Sequence, residues 1–187
     1  MAFDLSMHST GWAITKGMKP IESGIINLDT YGFKGVTFKD LRFSEFLCTY
    51  KEIVKELVSD KIKNYGIKYI FYELLNIEHK EILKVLMQIQ AAAKIGIIDN
   101  YHQVFVLPVH NKAVKGFFGL PTKNKEIPKE VILTAKKWKQ KPIKLMLINK
   151  LNEMFNLCFM PNEGDRADAF GLCMAGLMKL GRGDYEL

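Results

Sequence analysis

The first thirty residues alternate between short apolar runs and polar breaks. Ala2 to Leu5, Gly11 to Thr15 and Ile21 to Leu28 are separated by the turn Ser6 to Thr10 and by Lys19-Pro20. Short apolar and β-branched runs bounded by turn residues predict three strands in an antiparallel meander. The period then changes. From about Phe38 to Tyr65, residues such as Phe46, Tyr50, Ile53, Val54 and Leu57 recur at three- and four-residue steps. That spacing predicts an amphipathic helix, which Asn64-Tyr65-Gly66 ends. Ile67 to Leu74 is again short, aromatic and β-branched, as a buried strand is. His79 to about Ile95 reads as a second helix, with Gln90-Ala91-Ala92-Ala93 offering small residues for close packing and Gly96 weakening its end. Val104 to Val109 is a further strand, stopped near Pro108. Gly116, Gly119, Pro121, Pro128 and Pro142 then interrupt the pattern. Helices are expected over Lys129 to Lys139, Ile143 to Phe155 and Asp168 to Leu180. The order βββαβαβ followed by helices predicts an α/β fold with a mixed central sheet. A chain of 187 residues suits a single domain, residues 1–187.

Charge sharpens this picture. The net charge is +7, but between His110 and Lys150 eleven lysines face two acids, so that stretch carries +9 and the remainder −2. A basic segment on a nearly neutral body suits a polyanion, although a solvated lysine-rich surface has the same composition. No apolar run approaches the roughly 18–20 residues of a membrane span. The opening residues lack a basic segment followed by an apolar one, so no secretion signal is expected. Cys48, Cys158 and Cys173 are scattered and odd in number. They imply neither a disulfide framework nor a zinc site, and a cytoplasmic location is expected. Cys173, on the apolar face of the last helix, reads as a small core residue.

Four acids stand out. Asp4 lies near the end of the first strand, and Glu73 near the end of the apolar run over residues 69–75. An ionised carboxylate in such a strand is costly unless it is paired or binds metal. Asp165 and Asp168, three apart at the start of the last helix, share one helix face, where the helix N-terminus favours anions. Singly, each has a structural alternative. Asp4 suits a turn, Glu73 a partly exposed strand end, Asp165 an N-cap and Asp168 a first-turn acid. Together, strand-end acids and a helix starting above the same sheet edge predict four oxygen donors for Mg²⁺ or Mn²⁺. Two such ions about 3.5–4 Å apart stabilise both the attacking and the leaving oxygens of a phosphodiester under hydrolysis. His8 and His110 also follow strand ends and are read as loop histidines.

These residues resemble a known family. The run Phe3-Asp4-Leu5-Ser6-Met7-His8-Ser9-Thr10-Gly11-Trp12 is similar to the opening of RuvC Holliday junction resolvases, in which an apolar residue and Asp are followed after five residues by Thr-Gly-aromatic. Tyr72-Glu73 resembles the second acid. Gln90-Ala91-Ala92-Ala93 with Gly96 resembles the long helix, and Asp165-Arg166-Ala167-Asp168-Ala169 resembles the terminal D-x-x-D-A. The resemblance covers nearly the whole chain. It implies an RNase H-like fold with a mixed five-stranded sheet flanked by helices. It also implies two Mg²⁺ ions held by Asp4, Glu73, Asp165 and Asp168, with Mn²⁺ able to substitute. The implied activity is a homodimeric endonuclease cutting branched DNA in recombination or replication, with helix 79–96 as the contact face. Size and Lys-rich composition resemble phage-encoded members, which act in the host cytoplasm.

Basic residues before the last helices belong to the same resemblance. Lys112 and Lys115 follow the fifth strand, and Lys139 or Lys141 matches a second basic position. Two departures stand out. The family carries an aromatic or apolar wedge just after the second acid, whereas Leu74-Leu75-Asn76-Ile77-Glu78 holds no aromatic. This leaves open a looser activity on forks and flaps. The second departure is a basic insert over about residues 118–141. It reads either as added DNA contact, with Trp138 or Phe117 and Phe118 stacking on bases, or as a mobile loop whose aromatics serve the core or a dimer. Other functions remain open from the residues alone. An RNase H-type enzyme on RNA–DNA hybrids uses similar acids. A non-catalytic branched-DNA-binding module needs the lysines alone. An actin-like ATPase also places Asp before its first turn, but it needs two lobes.

Overall fold

The computed structural model describes residues 1–6, 9–27, 32–33, 36–37, 42–74, 80–98 and 104–185. His8, residues 75–79 and the expected helix start at residues 38–41 lie outside the described residues.

The elements run β1 (Ala2–Leu5), β2 (Ser9–Lys16), β3 (Lys19–Asn27), β4 (Gly32–Phe33), β5 (Val36–Thr37), α1 (Phe43–Tyr65), β6 (Tyr69–Leu74), α2 (Lys80–Ile98) and β7 (Phe105–His110). Four helices follow: α3 (Asn111–Phe117), α4 (Lys129–Lys137), α5 (Pro142–Phe155) and α6 (Gly164–Gly181). The main sheet has five strands in the order β3-β2-β1-β6-β7. β1 pairs antiparallel with β2, and β2 with β3, while β1–β6 and β6–β7 are parallel. The meander and the mixed sheet are thus as the pattern predicts. Parallel pairs need a helical crossover, and α1 and α2 provide it.

Strand alternation sorts the core into two layers. Phe3, Leu5, Trp12, Ile14 and Ile70 face α1 and α2. Ala2, Ala13, Phe71 and Val109 face α5 and α6. By the same alternation Asp4, next to Phe3, and Glu73, next to Tyr72, fall on the α6 face. Small residues at Ala2, Gly11 and Ala13 bring α6 down onto β1 and β2. A Cβ built on Gly11 would lie 2.0 Å from the carbonyl oxygen of Asp165, so only glycine fits that crossing. α6 is buried on nearly every side, including Ala167, Gly171, Cys173 and Ala175, as a helix apolar all round must be. Cys173 is fully buried and directs its thiol at the Ala13 carbonyl, 3.5 Å away.

Several boundaries differ from the sequence pattern for physical reasons. β7 continues through Pro108 to His110. It is an edge strand, where a missing N–H costs no ladder bond, and the Tyr185 hydroxyl donates to the Pro108 carbonyl. α2 continues through Gly96 to Ile98, because a Cβ there would come within 2.5 Å of the Lys51 carbonyl on α1. Gly96 is a contact point between helices rather than a helix stop. α3 has only seven residues, too few for a period to show. The segment 118–141 contains a 3-10 turn at Asn124–Glu126 and α4, with Phe118, Leu120, Ile127 and Ala135 buried.

Candidate metal centre and its cleft

The register Ala2↔Phe71 and Phe3↔Tyr72 sets Asp4 beside Glu73 at the same edge of the sheet. Asp4 also pairs with Gly11, and the first turn of α6 crosses over Gly11. This crossing brings Asp165 and Asp168 to the level of Asp4. One carboxylate oxygen from each of Asp4, Asp165 and Asp168 lies within 4.8 Å of the others. Glu73 lines the same cleft but stands outside that group of three. Its Oε1 accepts a hydrogen bond from Asn111 Nδ2 at 2.8 Å, and its main-chain oxygen accepts one from the buried Gln90 Nε2 at 2.7 Å.

A lysine occupies the middle of the acids. Lys144 Nζ lies 2.8 Å from Asp165 Oδ1, 2.5 Å from Asp168 Oδ2 and 3.8 Å from Asp4 Oδ2. Its side chain is only 19% exposed. The other oxygen of Asp165 accepts from the Ser9 hydroxyl. Beneath them, Thr10 and Tyr50 share a buried hydrogen bond of 2.8 Å.

Burial and crowding set the electrostatics. Burial pushes the Asp4 carboxyl well above the usual carboxylate range; the charge of Asp168 adds to the rise, and Lys144 only partly offsets it. Asp168 is raised as well, by burial first, against the pull of Lys144. Burial alone would raise Asp165, but hydrogen bonds from Lys144 and Ser9 hold it below its usual value. Lys144 shows the reverse balance. Burial would lower its ammonium, but Asp168, Asp4 and Asp165 raise it instead.

One consequence is measurable. Because the pKa of Asp4 is raised in the fold, its ionisation costs stability. The cost is fully present above the raised pKa and disappears below the ordinary carboxylate value of about 3.9. In EDTA, Asp4→Asn should melt about 3 °C above the wild type near pH 8, for a gain of ~1 kcal/mol. The two melting curves should converge near pH 4. A lower Tm for the variant at pH 8 would contradict the burial argument.

The acids sit in a cleft of about 560 Å³, also lined by Asn111, Lys112, Lys115 and Lys141. Lys139 stands outside that lining, exposed in the turn after α4 with φ 51°. His110 is exposed at the end of β7. Phe118 is buried edge-on against Phe117, 4.7 Å between ring centroids, whereas Trp138 is 40% exposed. Lys144, Ser9, Asn111 and Gln90 are site residues that the sequence pattern did not single out. A signal for Lys144 existed, since a cation in the first turn of a helix opposes the helix dipole and needs a nearby anion.

The sheet order, the α6 crossing and the acids at one strand edge define an α/β protein with an RNase H-like fold. Within that class the fold is RuvC-like. No protein-family model matches the chain, and no curated protein does. Among solved structures, Thermus thermophilus RuvC in complex with a Holliday junction substrate is similar, with a TM-score of 0.62 and 11% identity over 97% of this chain and 93% of that chain. A second Thermus thermophilus RuvC structure is similar with a TM-score of 0.62 and 12% identity over 97% and 94% of the two chains. Identity this low carries the fold and leaves the chemistry to the site.

Proposed function

We propose that this protein is a divalent-metal-dependent endonuclease that cuts branched DNA. The observation that supports this reading best is the convergence of Asp4, Asp165 and Asp168 within 4.8 Å, inside a cleft lined by lysines. The donor set fits a hard cation. It is all carboxylate oxygen, and the burial that pushes Asp4 up also demands a positive charge beside it. Lys144 answers that demand as a built-in cation. Asp4, Asp165 and Asp168, with Glu73 beside them in the same cleft, are the residues that would hold Mg²⁺ or Mn²⁺. Bound there, the metal would supply a nucleophile at neutral pH and charge stabilisation for the phosphodiester.

The chain's own residues account for the rest. Asn111 and Gln90 fix Glu73 through its side chain and its backbone. Lys112, Lys115 and Lys141 line the cleft and supply positive charge for a phosphate backbone. Lys139, on the nearby exposed turn, adds charge further out. The RuvC solved with a Holliday junction supports a four-way junction as substrate, and forks and flaps belong to the same proposal. Mg²⁺-dependent cleavage of a four-way junction, a flap and an RNA–DNA hybrid tests it. Cleavage of the hybrid alone would replace this reading with an RNase H-type activity. Binding without cleavage of any substrate would leave a DNA-binding module.

Lys115→Ala should weaken junction binding and reduce the salt dependence of log K by about one phosphate contact. An unchanged salt slope would remove Lys115 from the DNA surface. A homodimer is also part of the proposal, since two symmetric nicks need two sites. Met87, Ile95 and Ile98 on α2 are each about half exposed and supply apolar surface for it. Light scattering should give twice the chain mass, and Ile95→Glu should reduce it to a monomer; a monomeric mass for the wild type would contradict the dimer. Among the described residues, no helix is long and apolar enough to cross a membrane.

A further inference from the structure

Trp138 is out of place for its type, since tryptophan is on average highly buried. The other tryptophan, Trp12, is 8% exposed, whereas Trp138 is 40% exposed at the end of α4. On the same helix Leu133 is 67% exposed, while Ala135 on the opposite side is fully buried. Lys129 and Lys137 stand one turn before and after Leu133, and Lys136 three residues on, so the outer face of α4 sets an apolar centre among lysines. These three lysines are exposed, as are Lys139 and Lys141 beyond the tryptophan. Over residues 129–141 five lysines face a single acid, Glu130. Among the described residues, Lys129, Lys136, Lys137 and Lys139 form no ion pair, whereas Lys61, Lys144 and Lys150 each do. The helix dipole accounts for Lys136 and Lys137 at the end of α4, but not for Lys129 at its start, nor for Lys139 and Lys141 outside it. The strip is also continuous with the cleft, which Lys141 lines. Trp138 lies three residues before Lys141, at most about 11 Å along the chain. Hydrogen bonds from the Lys139 N–H to the Lys136 carbonyl (3.1 Å) and from the Gln140 N–H to the Ala135 carbonyl (2.9 Å) hold that turn against the end of α4.

We propose that α4 and the turn after it bind a single-stranded DNA arm leaving the cleft, with an unpaired base stacked on Trp138 and the neighbouring phosphates on Lys136, Lys137 and Lys139. A polyanion answers the unpaired lysines. The exposed aromatic decides which kind. In a duplex the base faces are stacked on one another, so a duplex would use the lysines and leave Trp138 idle. An unpaired nucleotide offers both a phosphate and a free π-face, and stacking on an aromatic side chain tolerates any base. The inference rests on the DNA-cutting reading above and deepens it. Branches that carry an unpaired arm, such as flaps and forks, gain a contact that a four-way junction of fully paired arms does not.

Tryptophan emission tests this on the full-length protein in EDTA, where no strand is cut. Trp12 is enclosed in the core, so Trp138 is the tryptophan that a bound base can quench. An oligothymidylate of about 16 nucleotides should quench the wild type. Trp138→Leu should abolish the quenching and weaken binding of the labelled oligonucleotide about tenfold, read by fluorescence anisotropy. Trp138→Phe keeps a ring and should restore the affinity to within about threefold, and Trp138→Leu should weaken binding of a blunt-ended duplex by less than about threefold. Circular dichroism and Tm establish that the variants are folded, and the quenching of the wild type is a test that needs no variant. No quenching of the wild type, or quenching that persists in Trp138→Leu, would overturn the proposal. An equal loss on oligothymidylate and duplex would also overturn it, since Trp138 would then only shape the surface. So would a shift of the emission with protein concentration that oligothymidylate leaves unchanged, which would make the patch a contact between copies of the chain. Mg²⁺-dependent cleavage of a four-way junction by a protein that fails these tests would leave the nuclease reading standing.

Discussion

Asp168→Asn is expected to slow junction cleavage by on the order of 10³-fold while leaving junction affinity within about twofold. The substitution is nearly isosteric, so α6 keeps its seat on the sheet. What is lost is one anionic oxygen from a site where Asp4 and Asp168 are both buried deeply enough for burial to raise their carboxyls. Binding is separable because it rests on Lys112, Lys115 and Lys141 along the cleft, which the change leaves in place. Single-turnover cleavage and equilibrium binding of the same four-way junction distinguish the two effects. Full cleavage by the variant would remove Asp168 from the chemistry. An equal loss of binding and cleavage would mean that the acid only shapes the surface.

Gly11→Ala is expected to have the largest effect on stability. Its Cβ would fall 2.0 Å from the Asp165 carbonyl oxygen and 2.4 Å from the carbonyl carbon. Both are backbone atoms, so no side chain can swing aside. Either β2 shifts, breaking its pairing with Asp4, or the first turn of α6 lifts. A cost of about 3 kcal/mol follows from overpacking of this kind, which lowers Tm by roughly 6–12 °C for a chain of this size. Either movement also separates Asp165 and Asp168 from Asp4. The folded fraction should therefore lose cleavage beyond what its stability explains. A Tm within about 2 °C of the wild type would show that the crossing is looser than described.

The same glycine shows how far the sequence was legible. Its place in Thr10-Gly11-Trp12 was visible as a motif, but not why glycine stands there, because the reason is a helix more than 150 residues away. The strands were readable because their faces differ in what they bury. Phe3 and Leu5 point one way, Ala2 and Asp4 the other, and a period of two records that difference. α1 was readable for the same reason at a period of 3.6. α3 was not, since seven residues with Gly116 among them give too short a pattern. β7 ran past Pro108 because an edge strand tolerates proline, and edge position is a property of the whole sheet. α6 began a turn early, at Gly164, because Asn162-Glu163-Gly164 reads locally as a loop.

For the site, the acids were conspicuous because charge in apolar surroundings needs an explanation. Their closest partner was not. Lys144 is one of eleven lysines in its stretch, and Lys112 and Lys129, both exposed, share its place in the first turn of a helix, so that local sign does not separate it from lysines facing solvent. Only the packing of α5 against α6 turns it inward. Asn111 and Gln90 were hidden in the same way, since a polar amide becomes informative only when the carboxylate or carbonyl it meets is known.

Anomalous diffraction at the manganese edge, from crystals soaked in Mn²⁺, tests the central claim most directly. The account predicts a peak within coordination distance of Asp4, shared with Asp165, Asp168 or Glu73, and its loss in Asp4→Asn. A peak bonded only to other residues, or none beside Asp4 in crystals where Mn²⁺ demonstrably supports or inhibits DNA cleavage elsewhere, would contradict it.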